Sequence, residues 1–150
     1  MRIRRPIRVL ATLGLVTMLA GGCRQQINDS DLRYLSGGEV ATLLDPEAKG
    51  HRRGSHVLVD PRDAKAFEGG HLPGAVNFDV LLPDRTVDPV LSKAGVVVVY
   101  GRNAGDALAR GMAKRLMSLG LKNVYLYPGG LDDWTRRGGQ AETGSAGGPR

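Results

Sequence analysis

Short apolar runs alternate with amphipathic helical patterns between residues 33 and 138. The strongest strand signal is Val96–Tyr100, which is apolar on both faces, as a central parallel strand requires. Weaker strand patterns occur at 56–60, 75–78 and 123–127. Strands that alternate with helices are typical of a parallel sheet covered by helices, so the pattern predicts an α/β fold.

The helical patterns carry recognisable start signals. Ser36 followed by Glu39 is a capping box, and it predicts a first helix whose apolar face is formed by Val40, Leu43 and Leu44. Residues 64–67 can form one further helical turn. The last helix is predicted to run through Leu131 and Trp134.

The longest helix is predicted to follow the central strand. It begins near Asp106, after a glycine-containing loop, and ends at Gly120, a residue suited to a left-handed stop. An apolar stripe at helical spacing is predicted to face the sheet, and it consists of Leu108, Met112, Leu116 and Leu119.

The first 22 residues have the composition of a secretory signal. They contain four arginines and no acidic residue, followed by an apolar run over 9–20. That run is shorter than the roughly 20 apolar residues that span a bilayer. We therefore predict a cleaved signal peptide over 1–22.

The residues around the predicted cut resemble the lipobox of bacterial lipoproteins, with the sequence Leu19-Ala20-Gly21-Gly22-Cys23. The resemblance implies an acylated Cys23 as the new N-terminus and a membrane anchor. The protein would then lie in the cell envelope and face the periplasm, or the outside in a Gram-positive cell. Ala20 stands where the lipobox usually has leucine, and the alternative is a secreted soluble protein with a free Cys23.

Composition excludes several function classes. Without the four arginines of the signal, the 21 basic residues fall to 17 against 15 acidic ones, so nucleic-acid binding is not expected. The only cysteine is Cys23, which excludes an intramolecular disulfide, a Cys-x-x-Cys pair and a zinc site with two thiolates. The three histidines lack metal-ligand spacing, and we predict no metal and no cofactor.

The chain divides into four predicted parts. The signal over 1–22 precedes a lipidated N-terminus and polar tether over 23–32, and one domain follows over 33–138. Residues 139–150 are rich in glycine and predict a flexible tail.

Three motifs resemble those of the rhodanese-like domain family, and they occur in the family's order. Residues 57–62 read Val-Leu-Val-Asp-Pro-Arg, residues 70–77 read Gly-His-Leu-Pro-Gly-Ala-Val-Asn, and residues 123–130 read Asn-Val-Tyr-Leu-Tyr-Pro-Gly-Gly, with Trp134 four residues on. The resemblance covers about residues 36–138. It implies a three-layer α/β/α fold with a central, mainly parallel sheet of about five short strands.

The resemblance also locates the family's reactive loop and shows a departure from it. Active members carry a cysteine directly after the central strand, where loop N–H groups stabilise its thiolate. Gly101 stands at that position here, and Asp106 stands at the far end of the loop, where its carboxylate can replace a bound oxyanion. Arg102 is either an anion contact or a partner of Asp106. The degenerate loop comprises Gly101, Arg102, Asn103, Ala104, Gly105 and Asp106.

The remaining motif residues are expected to be structural. His71 should bond neighbouring backbone or a carboxylate such as Asp60, and Asp60 and Arg62 should tie the strand end to its loop. Gly74 suits a backbone angle that other residues resist. Gly129, Gly130 and Trp134 belong to the third motif, and Trp134 is expected in the core.

These observations favour an envelope-anchored domain without sulfurtransferase activity that acts as a binding or scaffolding module, with an unidentified envelope protein as a possible partner. The alternative is a sulfurtransferase-related enzyme that uses an external thiol, or that binds an oxyanion at the 101–106 loop. Cys23 is not expected to replace the missing nucleophile, because it precedes the fold and lacks the loop amides.

Overall fold

The computed structural model describes residues 26–48, 56–78 and 88–145. The predicted signal over 1–22 and Cys23 lie outside the described residues. Five helices are described, namely α1 (Gly37–Leu44), α2 (Ala64–Glu68), α3 (Pro89–Lys93), α4 (Ala107–Ser118) and α5 (Gly130–Arg136). The strands are β1 (His56–Asp60), β2 (Val76–Asn77), β3 (Val96–Tyr100) and β4 (Val124–Tyr127). Within these ranges, no helix has the length and apolar character to cross a bilayer.

The strands form one parallel sheet in the order β2-β1-β3-β4. The central position of β3 explains why both of its faces are apolar. A further parallel bridge joins Tyr34 to Leu126, so the N-terminal segment extends the sheet beyond β4. The described part of the chain therefore has four strands and one single-residue edge, in agreement with the prediction of about five short strands.

The side chains of β3 alternate between two apolar clusters. Val97 and Val99 pack with α3 and α4 on one face, whereas Val98 and Tyr100 pack with α1, α2 and α5 on the other. This alternation follows from the two-residue period of a strand. The three-layer α/β/α arrangement is thereby confirmed.

Most of the predicted helix starts are present as caps. The side chain of Ser36 accepts a hydrogen bond from the Glu39 backbone, and the Glu39 carboxylate accepts from Ser36 N at 2.7 Å, which completes the capping box. That hydrogen bond holds the pKa of Glu39 below its ordinary value. Asp106 caps α4, and Gly120 has a positive φ of 97°, as a left-handed stop requires.

The predicted apolar stripe of α4 is wrong at one end. Leu108 is 42% exposed and Leu119 is only partly buried, although Met112 and Leu116 face the sheet. The buried face consists of Ala109, Met112, Ala113 and Leu116. The two alanines, which the predicted stripe does not include, allow the helix to lie close to the sheet.

The structure also extends the ordered fold beyond the predicted boundary at 138. Glu142 and His71 exchange two backbone hydrogen bonds of 2.9 Å, and Gly144 N donates to Glu68 O at 2.9 Å. Residues 139–144, which we had assigned to a flexible tail, thus pack on the loop after α2. Backbone groups make these contacts, so a composition rich in glycine does not prevent them.

Candidate functional site

The loop over 101–106 connects the end of β3 to the start of α4, at the carboxyl edge of the sheet. In open parallel sheets, ligands bind at this edge. The loop closes on itself through a hydrogen bond of 3.0 Å from Asp106 N to Asn103 O. Its geometry therefore decides what this edge of the sheet can hold.

The carboxylate of Asp106 accepts hydrogen bonds from backbone on both sides of the loop. Its Oδ1 atom accepts from Leu108 N at 2.9 Å, and its Oδ2 atom accepts from Arg102 N at 2.8 Å. The first bond caps α4, and the second spans the start of the loop. The carboxylate thus takes up two of the N–H groups that an anion at this helix terminus would use.

Gly101 is buried beneath this carboxylate. A Cβ atom placed on Gly101 would lie 2.5 Å from Asp106 Cγ and closer still to Oδ2, a separation that real Cβ atoms essentially never show. The backbone of Gly101 does not have a positive φ, so its conformation would accept another residue. The obstacle to a side chain at this position is the side chain of Asp106, whose Cβ atom would also lie only 2.8 Å away.

The side chain of Arg102 bonds to Asp132 and not to Asp106. Its Nε atom donates to Asp132 Oδ1 at 2.7 Å on the surface of α5. The predicted pairing of this side chain with Asp106 is therefore wrong, because only the backbone N–H of Arg102 bonds to Asp106. A role of the guanidinium as an anion contact stays a prediction. Asp132 was not singled out in the sequence, since it lies 30 residues away and the fold brings it to the loop.

The start of α5 holds the loop in place from the opposite side. Leu131 N donates to Gly101 O at 3.0 Å, and Asp132 N donates to Arg102 O at 2.9 Å. Gly130 has a φ of 60°, and a Cβ atom there would lie 2.8 Å from the carbonyl carbon of Arg102. The third motif thus requires glycine at 130 because the two backbones approach closely.

Asp60 and Arg62 form a buried ion pair behind the site, with exposures of 0% and 5%. Arg62 Nη2 lies 2.6 Å from Asp60 Oδ2 and also donates to Gly70 O at 2.7 Å. Burial opposes the charge of Arg62, but the hydrogen bonds from Asp60 outweigh it and raise the pKa of the guanidinium. These bonds tie the end of β1 to the loop that carries Gly70, which is the geometry expected for both residues.

Tyr100 is a structural residue that the sequence analysis assigned only to the strand. Its hydroxyl accepts a hydrogen bond of 3.0 Å from Leu72 N and lies fully buried under the loop. Burial, together with the nearby negative charge of Asp60, raises the pKa of this phenol. A tyrosine that ends an otherwise all-valine strand was the available signal, because its hydroxyl needs a partner when buried.

His71 is structural, as predicted. Its Nδ1 atom lies 2.9 Å from Phe67 O, and its ring stacks on Phe67 at a centroid distance of 3.8 Å. The carboxylate near His71 is Glu142, at 3.8 Å from Nε2, and not the Asp60 that we had named. Gly74 has a φ of 69°, which confirms the predicted need for an unusual backbone angle.

Trp134 packs at the edge of the core and is only partly buried. Its indole Nε1 donates to Gln140 O at 2.8 Å and so binds the segment after α5. The adjacent Asp133 accepts from the hydroxyl of Tyr127 and from Arg137. Gly129 is close to the same aspartate, since a Cβ atom on it would lie 2.7 Å from Asp133 Cβ.

A comparison with protein-family models matches residues 44–137 to the rhodanese-like domain. The chain is 35% identical over 97 residues to a thiosulfate sulfurtransferase, GlpE, of Pseudomonas syringae, a match that covers 64% of this chain and 88% of the relative. A second GlpE, from Pseudomonas savastanoi, is 34% identical over the same coverage.

Solved structures show the same architecture. The BH2092 protein of Bacillus halodurans superposes with a TM-score of 0.64 at 23% identity, covering 74% of this chain and 77% of that protein. A rhodanese-like domain of the Anabaena Alr3790 protein superposes with a TM-score of 0.53 at 19% identity, covering 73% and 78%. These two likenesses establish the fold. Together with the family match and the identity to the sulfurtransferases, they show that the chain belongs to the rhodanese-like domain family.

Proposed function

We propose that this protein is a lipid-anchored rhodanese-like protein of the bacterial cell envelope that does not transfer sulfur and serves as a binding or scaffolding module. Its partner would be another envelope protein. Pull-down from solubilised membranes, with the chain tagged at its C-terminus, would identify that partner.

One observation carries the proposal of inactivity. Gly101 stands where the family's reactive cysteine would be, and the carboxylate of Asp106 fills the space that a side chain there would enter. Sulfur transfer through a covalent intermediate needs a nucleophilic side chain. The chain's only cysteine is Cys23, which precedes the folded domain by sequence.

The electrostatics of the loop support the same proposal. An oxyanion bound at the start of α4 would have to displace the Asp106 carboxylate from Leu108 N and Arg102 N. The cation of the loop, Arg102, is paired with Asp132 on the neighbouring helix and so does little to offset the charge of Asp106. Like charges repel, so the loop disfavours thiosulfate.

The proposal of an anchor rests on the sequence before the domain. An arginine-rich start, an apolar run over 9–20 and a lipobox-like sequence before Cys23 support cleavage and acylation. The intact mass of the protein extracted from membranes tests both at once. A chain that begins at Cys23 with added acyl mass agrees with the proposal, and an unmodified thiol contradicts it.

Sulfur transfer from thiosulfate to cyanide is the direct test of inactivity. The full chain, extracted in detergent, should produce thiocyanate at the rate of a protein-free blank. The control for the assay is the double variant Gly101→Cys/Asp106→Ser, which supplies a thiol and removes the carboxylate that blocks it. Turnover by the unmodified chain, clearly above the blank, would refute the proposal.

The second candidate function is a sulfurtransferase-related enzyme that binds an oxyanion at the loop and uses an external thiol. The 35% identity to a thiosulfate sulfurtransferase favours keeping this candidate. Titration of thermal stability with thiosulfate, sulfate and phosphate separates the two, because a ligand of the folded state must raise its stability. Stabilisation that is lost in Arg102→Gln would support the enzyme, and no shift at tens of millimolar would support the binding module.

A further inference from the structure

The N-terminal segment that begins at residue 26 packs on the side of the domain formed by α4 and the β4 edge of the sheet. Asp29, in a single 3-10 turn over Asp29–Asp31, pairs with Lys114 of α4 at 2.7 Å. Leu32 is buried against the same helix, and Arg33 O accepts from Leu126 N at 2.8 Å. The N-terminal segment is thus fixed between α4 and the β4 edge of the sheet.

The segment between Asp29 and the proposed anchor at Cys23, which we call the leash, is short. Six peptide units separate Cys23 from Asp29, and they span at most about 20 Å when fully extended. A domain of this size has a diameter of roughly 35 Å. The opposite side of the domain therefore cannot face a membrane that holds Cys23.

The side to which the leash leads is strongly basic. No acidic residue occurs between Asp106 and Asp132, a stretch that contains four basic residues. Three of these cations lie on α4 outside its buried side, and the fourth follows the helix. We call this surface the basic face, and it consists of Arg110, Lys114, Arg115 and Lys122. Two carboxylates, Asp29 and Asp31, lie beside it.

Two sets of contacts join the N-terminal segment to residues of the basic face. Lys114 and Arg110 both act on Asp29 and lower its pKa, Lys114 through a hydrogen bond and Arg110 through its charge. Arg33 donates to Lys122 O and lies over the Tyr125 ring, 4.6 Å from its centroid. The cations therefore exceed the acids on the side where the leash begins.

We propose that the basic face docks on a bilayer surface that contains anionic lipid headgroups. The inference rests on the proposed anchor at Cys23, and it adds an orientation: α4 and the N-terminal turn face the membrane. Headgroup phosphates attract clustered lysine and arginine within about one Debye length of the surface. Helix α5, which lies on the other side of the sheet from α4, then remains accessible to a protein partner.

Acetylation of lysines by a membrane-impermeant reagent tests this orientation. The mature chain is reconstituted into vesicles of phosphatidylcholine alone, or with about one third phosphatidylglycerol. Lys122 reports on the basic face, and Lys65 is the internal control, since it is exposed on α2 on the other side of the sheet. We expect Lys122 to react about fivefold more slowly on the anionic vesicles, with Lys65 unchanged.

Two double variants test whether the positive charges of the basic face cause the slower reaction of Lys122. Arg110→Gln/Arg115→Gln should abolish the slowing at Lys122, whereas Arg136→Gln/Arg137→Gln, which removes two charges from α5, should retain it. Salt at about 0.5 M should also abolish it, because screening weakens surface electrostatics. Equal reactivity of Lys122 on both kinds of vesicle, or slowing at Lys65 instead, would overturn the inference. Slowing of Lys122 by duplex DNA but not by anionic vesicles would overturn it as well.

The intact mass of the same preparation distinguishes failure of the proposed anchor from failure of the proposed docking face. If Cys23 carries no acyl chain, the proposed anchor is wrong, and the free thiol is coupled to a maleimide lipid in the same vesicles. Labelling is then repeated, and the relative rates at Lys122 and Lys65 decide the docking face independently of the natural modification.

Discussion

The carboxylate of Asp106 occupies the space above Gly101 that any side chain at residue 101 would enter. A Cβ atom on Gly101 would lie 2.5 Å from Asp106 Cγ. The same carboxylate bonds Arg102 N and Leu108 N, so it cannot move without losing both hydrogen bonds. Glycine at 101 and aspartate at 106 are therefore one coupled feature of the loop.

The coupling predicts that Gly101→Ala is destabilising although the backbone accepts alanine. The added methyl displaces the carboxylate and should lower the free energy of unfolding by about 1–3 kcal/mol. In Gly101→Ala/Asp106→Ser, loss of the carboxylate oxygens should remove part of that cost, although the Cβ atom of residue 106 would still lie 2.8 Å from the added methyl. Urea unfolding of both single variants and the double variant gives the coupling energy. Additive effects would contradict the steric relationship.

Removal of the helix cap is a separate prediction. Asp106→Ala loses the hydrogen bonds to Leu108 N and Arg102 N and should cost about 1–2 kcal/mol of stability. Asp106→Ser keeps a capping oxygen and should cost less than half as much. Thermal unfolding of the two variants measures the difference. Equal losses would show that the serine oxygen does not replace the capping carboxylate of Asp106.

Gly130 and Gly138 provide a matched pair, since both have a positive φ. Gly138→Ala meets no atom within 4 Å and should cost about 1 kcal/mol from backbone strain alone. Gly130→Ala also collides with the backbone of Arg102, so its cost should be higher by at least about 2 kcal/mol. Denaturant midpoints of the two variants test this. Similar midpoints would mean that the loop moves away from α5 easily.

The buried ion pair should matter far more than the exposed one. Arg62→Met leaves Asp60 buried without its cation and should destabilise the fold by about 3–5 kcal/mol. Arg102→Met breaks the exposed pair with Asp132 and should cost at most about 1 kcal/mol. Chemical unfolding of both variants is the measurement. A small effect at Arg62 would show that water reaches Asp60.

The fold should lose stability in acid because of Asp133. Its hydrogen bonds from Arg137 and from the Tyr127 hydroxyl hold its pKa below the ordinary value of 3.8. The folded state therefore binds this proton less readily than the unfolded state does, so the stabilisation is complete above that value and disappears as pH falls through the lower folded pKa.

The melting temperature of the unmodified chain should exceed that of Asp133→Asn by a constant amount at neutral pH. The gap should narrow only below about pH 4. Melting curves of both proteins between neutral and strongly acidic pH measure it. A gap that stays constant throughout would show that Asp133 does not stabilise the fold through its charge.

The sequence was most informative where one residue acts on its immediate neighbours. The capping box of Ser36, the cap at Asp106 and the left-handed glycine at Gly120 were each predicted from spacing, because a helix end is satisfied within three or four residues. The stripe of α4 was less predictable. Periodicity gave the correct pitch, but only packing against the sheet shows that small alanines, and not Leu108, face the core.

Contacts between distant segments could not be predicted in this way. The pairing of Arg102 with Asp132, and of His71 with Glu142, joins residues that are 30 and 71 positions apart in the chain. Nothing in the local pattern distinguishes these carboxylates from others. The glycine-rich segment after Gly138 was misassigned for the same reason, since its bonds depend on a backbone edge that α2 and its loop supply.

By itself, the sequence determined the order of strands and helices, the family motifs and the absence of a cysteine after the central strand. These features depend on residue type and short-range spacing. Only the tertiary structure decided that Asp106 fills the space at Gly101, that Arg102 turns to α5, and that the N-terminal segment lies beside a basic helix. Those outcomes depend on which surfaces meet when the chain folds, and this information is held in three-dimensional packing.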